Sequence, residues 1–478
     1  MQKPKTIREL KDSKYEVLSI KDEMRKNLIT RLKESEELFP GIIGYDDTVI
    51  PQIENAILSK HDTLLLGLRG QAKTRILRNL INLLDEEIPI IKGCEINDNP
   101  FHPVCKACTD KVNEHGEYTE ITWLSREYRY REKLATPDVT VADLIGDIDL
   151  VKVAEGKYLS SELTIHFGLI PRTNRGIFAI NELPDLSPKI QVSLFNVLQE
   201  RDIQIRGYPI RLPLDVILVF SANPEDYTNR GRIVTPLKDR IGSVVTTHYP
   251  LTRDDGIRII EQNAWIDRNC GIKVAIPKFM KEIIEEISHI ARSSQEINQS
   301  SGVSARMSIC NYETLTSNAE RRAIKTSEKD TVPRISDLRH IFASARGKVE
   351  LDSTMDDEQE DEILRKITRE AIKNVFNQYF KIEAHQEEIR LLNDKNIYVS
   401  DEMPSEEYVK LLESNKEIKK MVQGLHNKME DVIMDREITP PMAASLVEFL
   451  LDGLHANKKL NKDELGGKAT YKRRKIEI

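Results

Sequence analysis

The chain has 478 residues, of which 39% are hydrophobic and 31% are charged, and its formal net charge at pH 7 is −7. This length exceeds what one hydrophobic core organises, so about two to four domains are expected. The mixed charge gives no global electrostatic reason to bind nucleic acid, and no nucleic-acid partner is expected.

Neither a signal peptide nor a membrane span is predicted. The basic residues near the N-terminus are not followed by an apolar run. No uninterrupted apolar stretch approaches the ~20 residues that a transmembrane helix needs. Five cysteines, an odd number in a long chain, favour a reducing compartment over a disulfide framework. We therefore expect a cytoplasmic protein.

Residues 1–39 are predicted to be a helical lead-in, because apolar positions recur at helical spacing among many charges. Residues 40–250 then alternate apolar runs with amphipathic segments, which predicts an α/β domain with a mainly parallel sheet. The residues 202–213 alternate apolar and polar positions and predict an inserted β-hairpin. The predicted strands are residues 63–66, 121–124, 176–180, 216–220 and 244–247.

Strand signals largely stop after residue 250. Helical patterns predict an α-helical lid domain over residues 251–385 and a C-terminal helical extension over residues 386–478. The extension ends in a basic tail, which we expect to be a mobile, solubilising end.

The strongest local signal is GLRGQAKT, which joins a predicted strand to a predicted helix. Glycines let the backbone approach phosphate groups, successive N–H groups point inward, and a helix N-terminus favours an anion. Lys73 is placed to reach the β and γ phosphates, and Thr74 offers a hydroxyl to magnesium. The alternative is a tight turn with a surface lysine. The predicted nucleotide-binding residues are Gly67, Leu68, Arg69, Gly70, Gln71, Ala72, Lys73 and Thr74.

A second polar site follows the apolar run GIFAI, where Asn181 and Glu182 come directly after the strand. The carboxyl ends of parallel strands deliver polar groups into the crevice that ligands use. Glu182 would there polarise the water that attacks a γ phosphate. The alternative is an ordinary strand exit, because both residue types are common in turns.

Three further residues are candidates for the same chemistry. Asn223 follows another buried strand, and its amide would hold the water or sense the γ phosphate; alone, this segment is only a turn. Arg240 is placed to meet the γ phosphate of a neighbouring subunit, against the alternative of a surface salt bridge. Arg306, at the start of a helix in the second domain, would reach the nucleotide from the lid.

In this order, GLRGQAKT, GIFAINE, the hairpin, FSANP, PLKDRIG and GVSARMSI resemble an AAA+ ATPase. The resemblance is closest to the MoxR and magnesium-chelatase ATPase-subunit branch and covers about residues 40–320. It implies a P-loop NTPase αβα sandwich with a parallel five-stranded sheet, followed by the helical lid. It also assigns Lys73 and Thr74 to phosphate and Mg²⁺, Glu182 to catalysis and Asn223 to the first sensor.

The same resemblance implies an assembly. Subunits would form a ring, usually a hexamer, with ATP between them, Arg240 as the trans-acting finger and Arg306 as the second sensor. Proteins of this branch commonly work with a partner that carries a von Willebrand factor A-type domain. No such domain is evident in this sequence, so the partner is expected to be a separate chain.

The sequence departs from the family pattern at two positions. Ala72 replaces a glycine of the general phosphate-loop motif, although the A-K-[ST] ending is familiar in the MoxR branch. Asn181 replaces the expected Asp, and its neutral amide oxygen is predicted to contact Mg²⁺ through water and to hold the ion less tightly. The hairpin also lacks the G-A-F-T-G-A loop of sigma-54 activators, so that specialised function is not predicted.

Residues 93–117 form a predicted insertion with Cys94, His102, Cys105 and Cys108, and with His115 beyond. Thiolate and imidazole ligands suit zinc, and a metal would hold a segment that has little core of its own. The outer spacing is unusual and a second C-x-x-C is absent, so free thiols on a surface insertion are the alternative. An iron–sulfur cluster is less favoured.

Two functions remain open at this stage. The first is an ATP-driven chaperone that remodels a partner protein or assists metal or cofactor insertion. The second is an ATP-responsive scaffold that hydrolyses negligibly because Asn181 weakens Mg²⁺ binding. A nucleic-acid motor is disfavoured, because no basic, aromatic-rich stripe accompanies the negative net charge.

Overall fold

A computed structural model describes the chain over ten stretches, and these divide between two compact units, Met1–His248 and Tyr249–Ile478. The described residues are 3–149, 164–205, 211–224, 232–266, 268, 271–350, 357–392, 395–429, 438–465 and 467–473.

The described strands are numbered here in chain order. They are β1 (Thr63–Leu66), β2 (Glu87–Ile91), β3 (Ile121–Ser125), β4 (Tyr130–Leu134), β5 (Gly146–Ile148), β6 (Ile165–Phe167), β7 (Gly176–Asn181), β8 (Asp202–Gln204), β9 (Arg211–Pro213), β10 (Val216–Ala222), β11 (Ser243–Thr246), β12 (Lys273–Val274), β13 (Asp330–Thr331), β14 (Ile397–Ser400), β15 (Leu460–Leu465) and β16 (Lys468–Arg473).

The α-helices among the described residues of the first unit are Ile7–Asp12, Ile20–Glu34, Val49–Leu58, Lys73–Asn79, Lys106–His115, Val141–Leu144, Pro188–Ser193, Phe195–Gln199 and Thr235–Arg240. Those of the second unit are Arg253–Asn263, Lys278–Ser293, Ala305–Thr326, Phe342–Ala345, Asp357–Tyr379, Gln386–Leu392, Ser405–Ser414, Lys416–Met429 and Pro440–Ala456.

A parallel five-stranded sheet in the order β11-β1-β10-β7-β4 forms the centre of the first unit. Side chains alternate across it as the strand geometry requires. In β7, Ile177 and Ala179 join the core under the helices Ile20–Glu34 and Val49–Leu58, whereas Phe178 and Ile180 join the core on the opposite face. Helices therefore cover both faces, and the predicted αβα sandwich is confirmed.

One predicted strand of the central sheet was wrong. Residues 121–124 do form a strand, but β3 pairs antiparallel with β2 outside the central sheet. The fifth strand is β4, which lies at the sheet edge and carries the charged sequence YREKL. Charged side chains are a common way to protect a sheet edge from further pairing, and Glu132 of this strand forms an ion pair with Arg78. A search for apolar runs misses such a strand.

The inserted hairpin is present as β8 and β9, which pair antiparallel. Its centre, residues 206–210, lies outside the described residues, as do residues 150–163 and 225–231. The strand β10 follows directly and returns the chain to the central sheet.

The second unit is mainly helical and is built around one hydrophobic core, which extends from Ile260 to Tyr471. Within it, Phe279 and Phe449 stack with ring centroids 4.4 Å apart, and Phe376 meets Phe449 edge-on at 5.4 Å. These rings belong to three helices, so residues on both sides of position 385 share the core.

The C-terminal region also differs from its prediction. Strands β14, β16 and β15 form an antiparallel sheet, and Tyr471 of the basic tail is fully buried with its hydroxyl donating to Asp452. The alternation of apolar and charged residues in KATYKR is the signal of this strand. Among the described residues, none of the helices combines the length and apolar composition required to cross a bilayer.

Candidate functional site

The loop after β1 is shaped to approach a ligand through its backbone. Gly70 has φ 74° and Ala72 has φ 56°, both in the left-handed region. A Cβ atom on Gly67 would lie 1.8 Å from Thr247 Oγ1 and 2.3 Å from Gln71 Oε1, so any side chain there would displace these two groups. The helix Lys73–Asn79 begins immediately after the loop and directs its N-terminal N–H groups to the same space.

Two residues that the sequence reasoning missed brace this loop. Thr247 Oγ1 donates to Gln71 Oε1 at 2.7 Å, and the Tyr45 hydroxyl donates to Gln71 O at 3.1 Å and to His248 O at 2.6 Å. Thr247 is the last residue of the predicted strand 244–247, Tyr45 lies ahead of the phosphate loop, and neither belongs to a motif. Only the folded sheet brings them to the loop.

Lys73 is buried and points back over the loop. Its Nζ donates to Leu68 O at 3.0 Å, to Asn223 Oδ1 at 2.7 Å and to Gly67 O. An ammonium group held in a glycine loop by neutral carbonyl and amide oxygens can exchange those oxygens for phosphate oxygens, with which it also forms an ion pair.

Asn223 connects this lysine to the predicted catalytic carboxylate. Its Nδ2 donates to Glu182 Oε2 at 3.0 Å, while its Oδ1 accepts from Lys73. Glu182 itself has φ 56° and ψ 51°, a left-handed conformation that is strained for a residue with a side chain. The structure thus brings three predicted site residues into one hydrogen-bonded chain.

Asn181 lies beside the helix start on the other side of the site. Its buried Oδ1 accepts from Thr74 Oγ1 at 3.5 Å and from Ser221 Oγ at 3.2 Å. Ser221 also accepts from the backbone N–H of Glu182 at 3.1 Å, a positioning role that the sequence reasoning missed. The hydroxyl and amide oxygens of Thr74 and Asn181 are hard donors that fit Mg²⁺, although neither carries the charge that usually strengthens such a site.

The two predicted arginines belong to other helices of the chain. Arg240 ends the helix Thr235–Arg240, where its Nε donates to Gln199 Oε1 at 2.9 Å and its guanidinium lies 4.8 Å from the centre of the Phe195 ring. Arg306 is exposed in the first turn of the helix Ala305–Thr326, in the second unit. Their catalytic roles remain predictions.

The insertion between β2 and β3 contains a second polar cluster. The side-chain ligand atoms of Cys94, Asp98, Cys105 and Cys108 all lie within 4.8 Å of one another. The predicted ligand His102 is not a member of this group; it is exposed, in a short bridge with Asn99. Asp98 takes the fourth place because its carboxylate accepts from the backbone N–H of Cys105, at 3.0 Å, which holds it against the thiols.

Of the three sulfurs in this cluster, Cys94 is the one that favours the thiolate form. Hydrogen bonds from the Cys105 and Cys108 thiols lower the pKa of Cys94 to about 3, with help from backbone N–H groups. Burial and the neighbouring Cys94 raise the pKa of Asp98 to about 6. The cluster therefore already favours a thiolate, which is the form of cysteine that binds metals.

Two kinds of sequence match extend over parts of the chain. A family model described as the Sigma-54 interaction domain matches residues 145–245. The magnesium-chelatase subunit ChlI homolog of Methanocaldococcus jannaschii is 28% identical over 228 residues, which are 47% of this chain and 58% of that protein. The hydrogenase transcriptional regulatory protein HoxA of Cupriavidus necator is 36% identical over 93 residues, 19% of each chain. The chain thus spans little more than half of the first relative and a fifth of the second.

Solved structures that match this chain in a structural comparison include a subunit from the BchI–BchD complex of magnesium chelatase, which is based on a cryo-EM reconstruction. It is 20% identical, with a TM-score of 0.35, and the match covers 68% of this chain and 98% of that one. NtrX from Brucella abortus in complex with ATP is 13% identical, with a TM-score of 0.37, and the match covers 84% and 72% of the two chains.

The sequence matches and the structure of the first unit agree. The matched residues 145–245 include both Glu182 and Asn223, and the M. jannaschii relative is a magnesium-chelatase subunit homolog. The parallel five-stranded sheet, with a glycine loop between β1 and a helix, agrees with the fold that the AAA+ resemblance implies. Over part of its length, the chain is therefore similar to AAA+ proteins of the magnesium-chelatase type.

Proposed function

We propose that this protein binds and hydrolyses ATP in a ring of identical subunits, and that hydrolysis drives the remodelling of a partner protein or the insertion of a metal or cofactor. The observation that carries the proposal is the hydrogen-bonded chain Lys73–Asn223–Glu182 at the carboxyl ends of neighbouring strands. It joins a phosphate-binding lysine to a carboxylate through one amide.

The two ends of this hydrogen-bonded series, Lys73 and Glu182, have separate roles in phosphoryl transfer. Lys73 and the helix N-terminus neutralise the β and γ phosphates, and Glu182 orients the attacking water. Asn223 is hydrogen-bonded to both Lys73 and Glu182. A phosphate that draws Lys73 away from the Asn223 amide therefore also changes the hydrogen bond between this amide and Glu182. This coupling lets the carboxylate respond to the presence of the γ phosphate.

Mg²⁺ would be held by the Thr74 hydroxyl and, through water, by the Asn181 amide oxygen. When bound, the ion neutralises charge on the phosphates and fixes their orientation. Ser221 keeps the Asn181 oxygen in place by donating to it and, through the N–H of Glu182, ties the same strand end to β10.

A ring would place Arg240 at the nucleotide of a neighbouring subunit. In its own chain the guanidinium is engaged with Gln199 and Phe195 and not with Lys73 or Glu182. Arg306 would act as second sensor from the lid. A hexamer and a separate partner with a von Willebrand factor A-type domain are what the family resemblance suggests.

Steady-state ATP turnover at saturating Mg²⁺ tests the proposal. The native chain should hydrolyse ATP, and Glu182→Gln should reduce turnover by ~100-fold or more while ATP still binds, because the water loses its orienting carboxylate. Glu200→Gln removes the same charge from an exposed position near the same sheet and should be neutral. Equal, near-background rates for native and Glu182→Gln protein would contradict hydrolysis.

That last result would favour the second candidate, an ATP-responsive scaffold. The observation behind it is Asn181, which supplies an amide where a carboxylate would hold Mg²⁺ more strongly. ATP binding with negligible turnover in the native chain would support this function.

Mixing two inactive variants tests the shared site. Arg240→Ala should lose turnover because this variant cannot complete the nucleotide site of the neighbouring subunit. Glu182→Gln should lose turnover because its own nucleotide site lacks the catalytic carboxylate. Mixed rings contain junctions with an intact Glu182 and an intact Arg240, so mixing should restore part of the activity. Gln199→Ala, which removes only the intrachain partner of Arg240, serves as the control and should remain active. No recovery on mixing would contradict the trans-acting role.

A further inference from the structure

The cysteine cluster of the insertion has the composition and compactness of a mononuclear metal site. Cys94 follows β2, Cys105 and Cys108 flank the start of the helix Lys106–His115, and Asp98 lies between them. Cys105, Cys108 and Asp98 are buried, and the two cysteines belong to the same hydrophobic core as Phe178 of β7.

The buried carboxylate of Asp98 is an independent indication of a cation-binding site. Its side chain is 0% exposed, and Oδ2 accepts from the backbone N–H groups of Val104 and Cys105. The other oxygen, Oδ1, has no hydrogen-bond partner among the described residues. A buried carboxylate oxygen without a partner is costly, and a bound cation in the cluster removes that cost.

The backbone around Cys94 is arranged for a thiolate ligand. The N–H groups of Ile96 and Asp98 donate to Cys94 Sγ at 3.4 and 3.3 Å. Such N–H donors offset the negative charge that several thiolates concentrate around one ion, and they orient the sulfur.

We propose that Cys94, Asp98, Cys105 and Cys108 bind one Zn²⁺ ion as a structural site. Three thiolates and a carboxylate form a four-ligand set that zinc accepts in tetrahedral geometry. Metal–sulfur bonds of about 2.3 Å place tetrahedral ligands about 3.8 Å apart, which fits ligand atoms that all lie within 4.8 Å. An iron–sulfur cluster would interpose several inorganic atoms and needs thiolates that are further apart.

The site would stabilise more than its own loop. Asn97, between two of the ligands, donates from Nδ2 to Arg172 O at 3.1 Å and to Asn174 O at 3.3 Å. Those residues lead into β7, whose other end precedes Glu182. The ion would therefore fix the segment that enters the strand of the nucleotide site.

Metal analysis of the purified full-length chain, expressed in zinc-replete medium, tests the assignment without any activity assay. About one zinc ion per chain should remain after gel filtration in buffer without chelator, because a closed structural site stays nearly full. Cys105→Ser should lower the zinc content at least tenfold and Asp98→Asn should lower it measurably. His102→Ala is the matched control and should retain the native content.

Two further measurements keep the result decisive if a variant does not fold. Modification of the native thiols with a mercurial should release zinc in step with loss of free thiols, and Asp98→Cys, which adds a fourth thiolate, should retain the ion. Zinc below ~0.1 per chain with all thiols reactive would overturn the proposal. So would iron in place of zinc, or loss of zinc in His102→Ala with full retention in Asp98→Asn.

Discussion

The nucleotide loop and the cysteine insertion lie in the same unit but differ in how their polar groups are satisfied. In the nucleotide loop, Lys73, Asn223 and Glu182 already have protein partners. In the insertion, one oxygen of the fully buried Asp98 has none among the described residues. A site that is satisfied without its ligand can exchange that ligand in each cycle, whereas a site that is not satisfied favours a permanently bound one.

The energies support this distinction. Leaving a buried polar group unsatisfied costs about 1–3 kcal/mol, and more when the group is charged. An ion that restores the missing interaction becomes part of the folding free energy. A phosphate that replaces existing hydrogen bonds of Lys73 gains only the difference between the two sets, which suits a ligand that must leave.

The largest expected effects come from separating the two sites by mutation. Lys73→Ala should weaken ATP binding and turnover by ~100-fold or more, because it removes the charge that faces the phosphates, and should leave the zinc content unchanged. Cys105→Ser should do the reverse, losing zinc while ATP affinity stays within a few-fold. Titration with a fluorescent ATP analogue and metal analysis of the same samples measure both.

Lys26→Ala, an exposed lysine of the helix Ile20–Glu34, controls for loss of a positive charge and should change neither readout. Loss of zinc in Lys73→Ala, or loss of ATP binding in folded Cys105→Ser protein, would contradict the claim that the two sites are independent.

A steric change in the loop should have the next largest effect. Gly67→Ala places a methyl group 1.8 Å from Thr247 Oγ1, so the Thr247 and Gln71 side chains that brace the loop must shift, and ATP affinity should fall by at least about tenfold. Gly424→Ala meets nothing within 4 Å inside a helix and should be neutral or slightly stabilising. Calorimetric ATP titration of both variants measures these affinities. Native ATP affinity in Gly67→Ala would show that the loop accommodates a side chain at position 67.

Restoring the family carboxylate should change the Mg²⁺ requirement more moderately. Asn181→Asp adds a negative charge next to Thr74, and the Mg²⁺ concentration at half-maximal ATP turnover should fall by about tenfold, equivalent to about 1.4 kcal/mol. The exposed Asn196→Asp makes the same charge change in the helix Phe195–Gln199 and should have no effect. An unchanged Mg²⁺ dependence in Asn181→Asp would show that position 181 does not influence the ion.

The smallest effect concerns strain in the loop. Ala72 is held at φ 56°, where a side chain costs about 1–2 kcal/mol. Because glycine loses more entropy on folding, Ala72→Gly should stabilise the chain by a net of about 0.5–1 kcal/mol in urea unfolding. Ala56→Gly, inside the helix Val49–Leu58, should be destabilising instead. Destabilisation by Ala72→Gly would mean that the methyl group makes favourable contacts.

The same two regions show what can be predicted from sequence. The nucleotide loop is contiguous, because its backbone, lysine and hydroxyl come from eight consecutive residues, so a short pattern finds it. Membership of the cysteine cluster, in contrast, depends on the direction in which each side chain of the insertion points, and a short sequence pattern does not show this direction. The sequence pattern predicted His102 as the fourth ligand, whereas the N–H groups of Val104 and Cys105 direct Asp98 inward.

Strand prediction failed where a strand of the central sheet is not apolar, or where an apolar run forms a strand outside that sheet. The edge strand β4 is charged, so it lacks the apolar signal that identified β1, β7 and β10. The apolar residues of β3 instead complete a local antiparallel pair with β2. Supporting contacts such as Ser221 with Asn181 and Thr247 with Gln71 join residues far apart in sequence, and no local pattern encodes them.

Chemical analysis of the nucleotide bound after a single turnover tests the central claim most directly. The chain in excess over ATP, with saturating Mg²⁺, is quenched after set times, and the bound ATP and ADP are separated and quantified. Native protein should convert its bound ATP to ADP, and Glu182→Gln should bind ATP with native affinity and keep it intact over the same period. Intact ATP on the native chain, or conversion at the same rate in both proteins, would contradict the claim that Glu182 directs hydrolysis at this site.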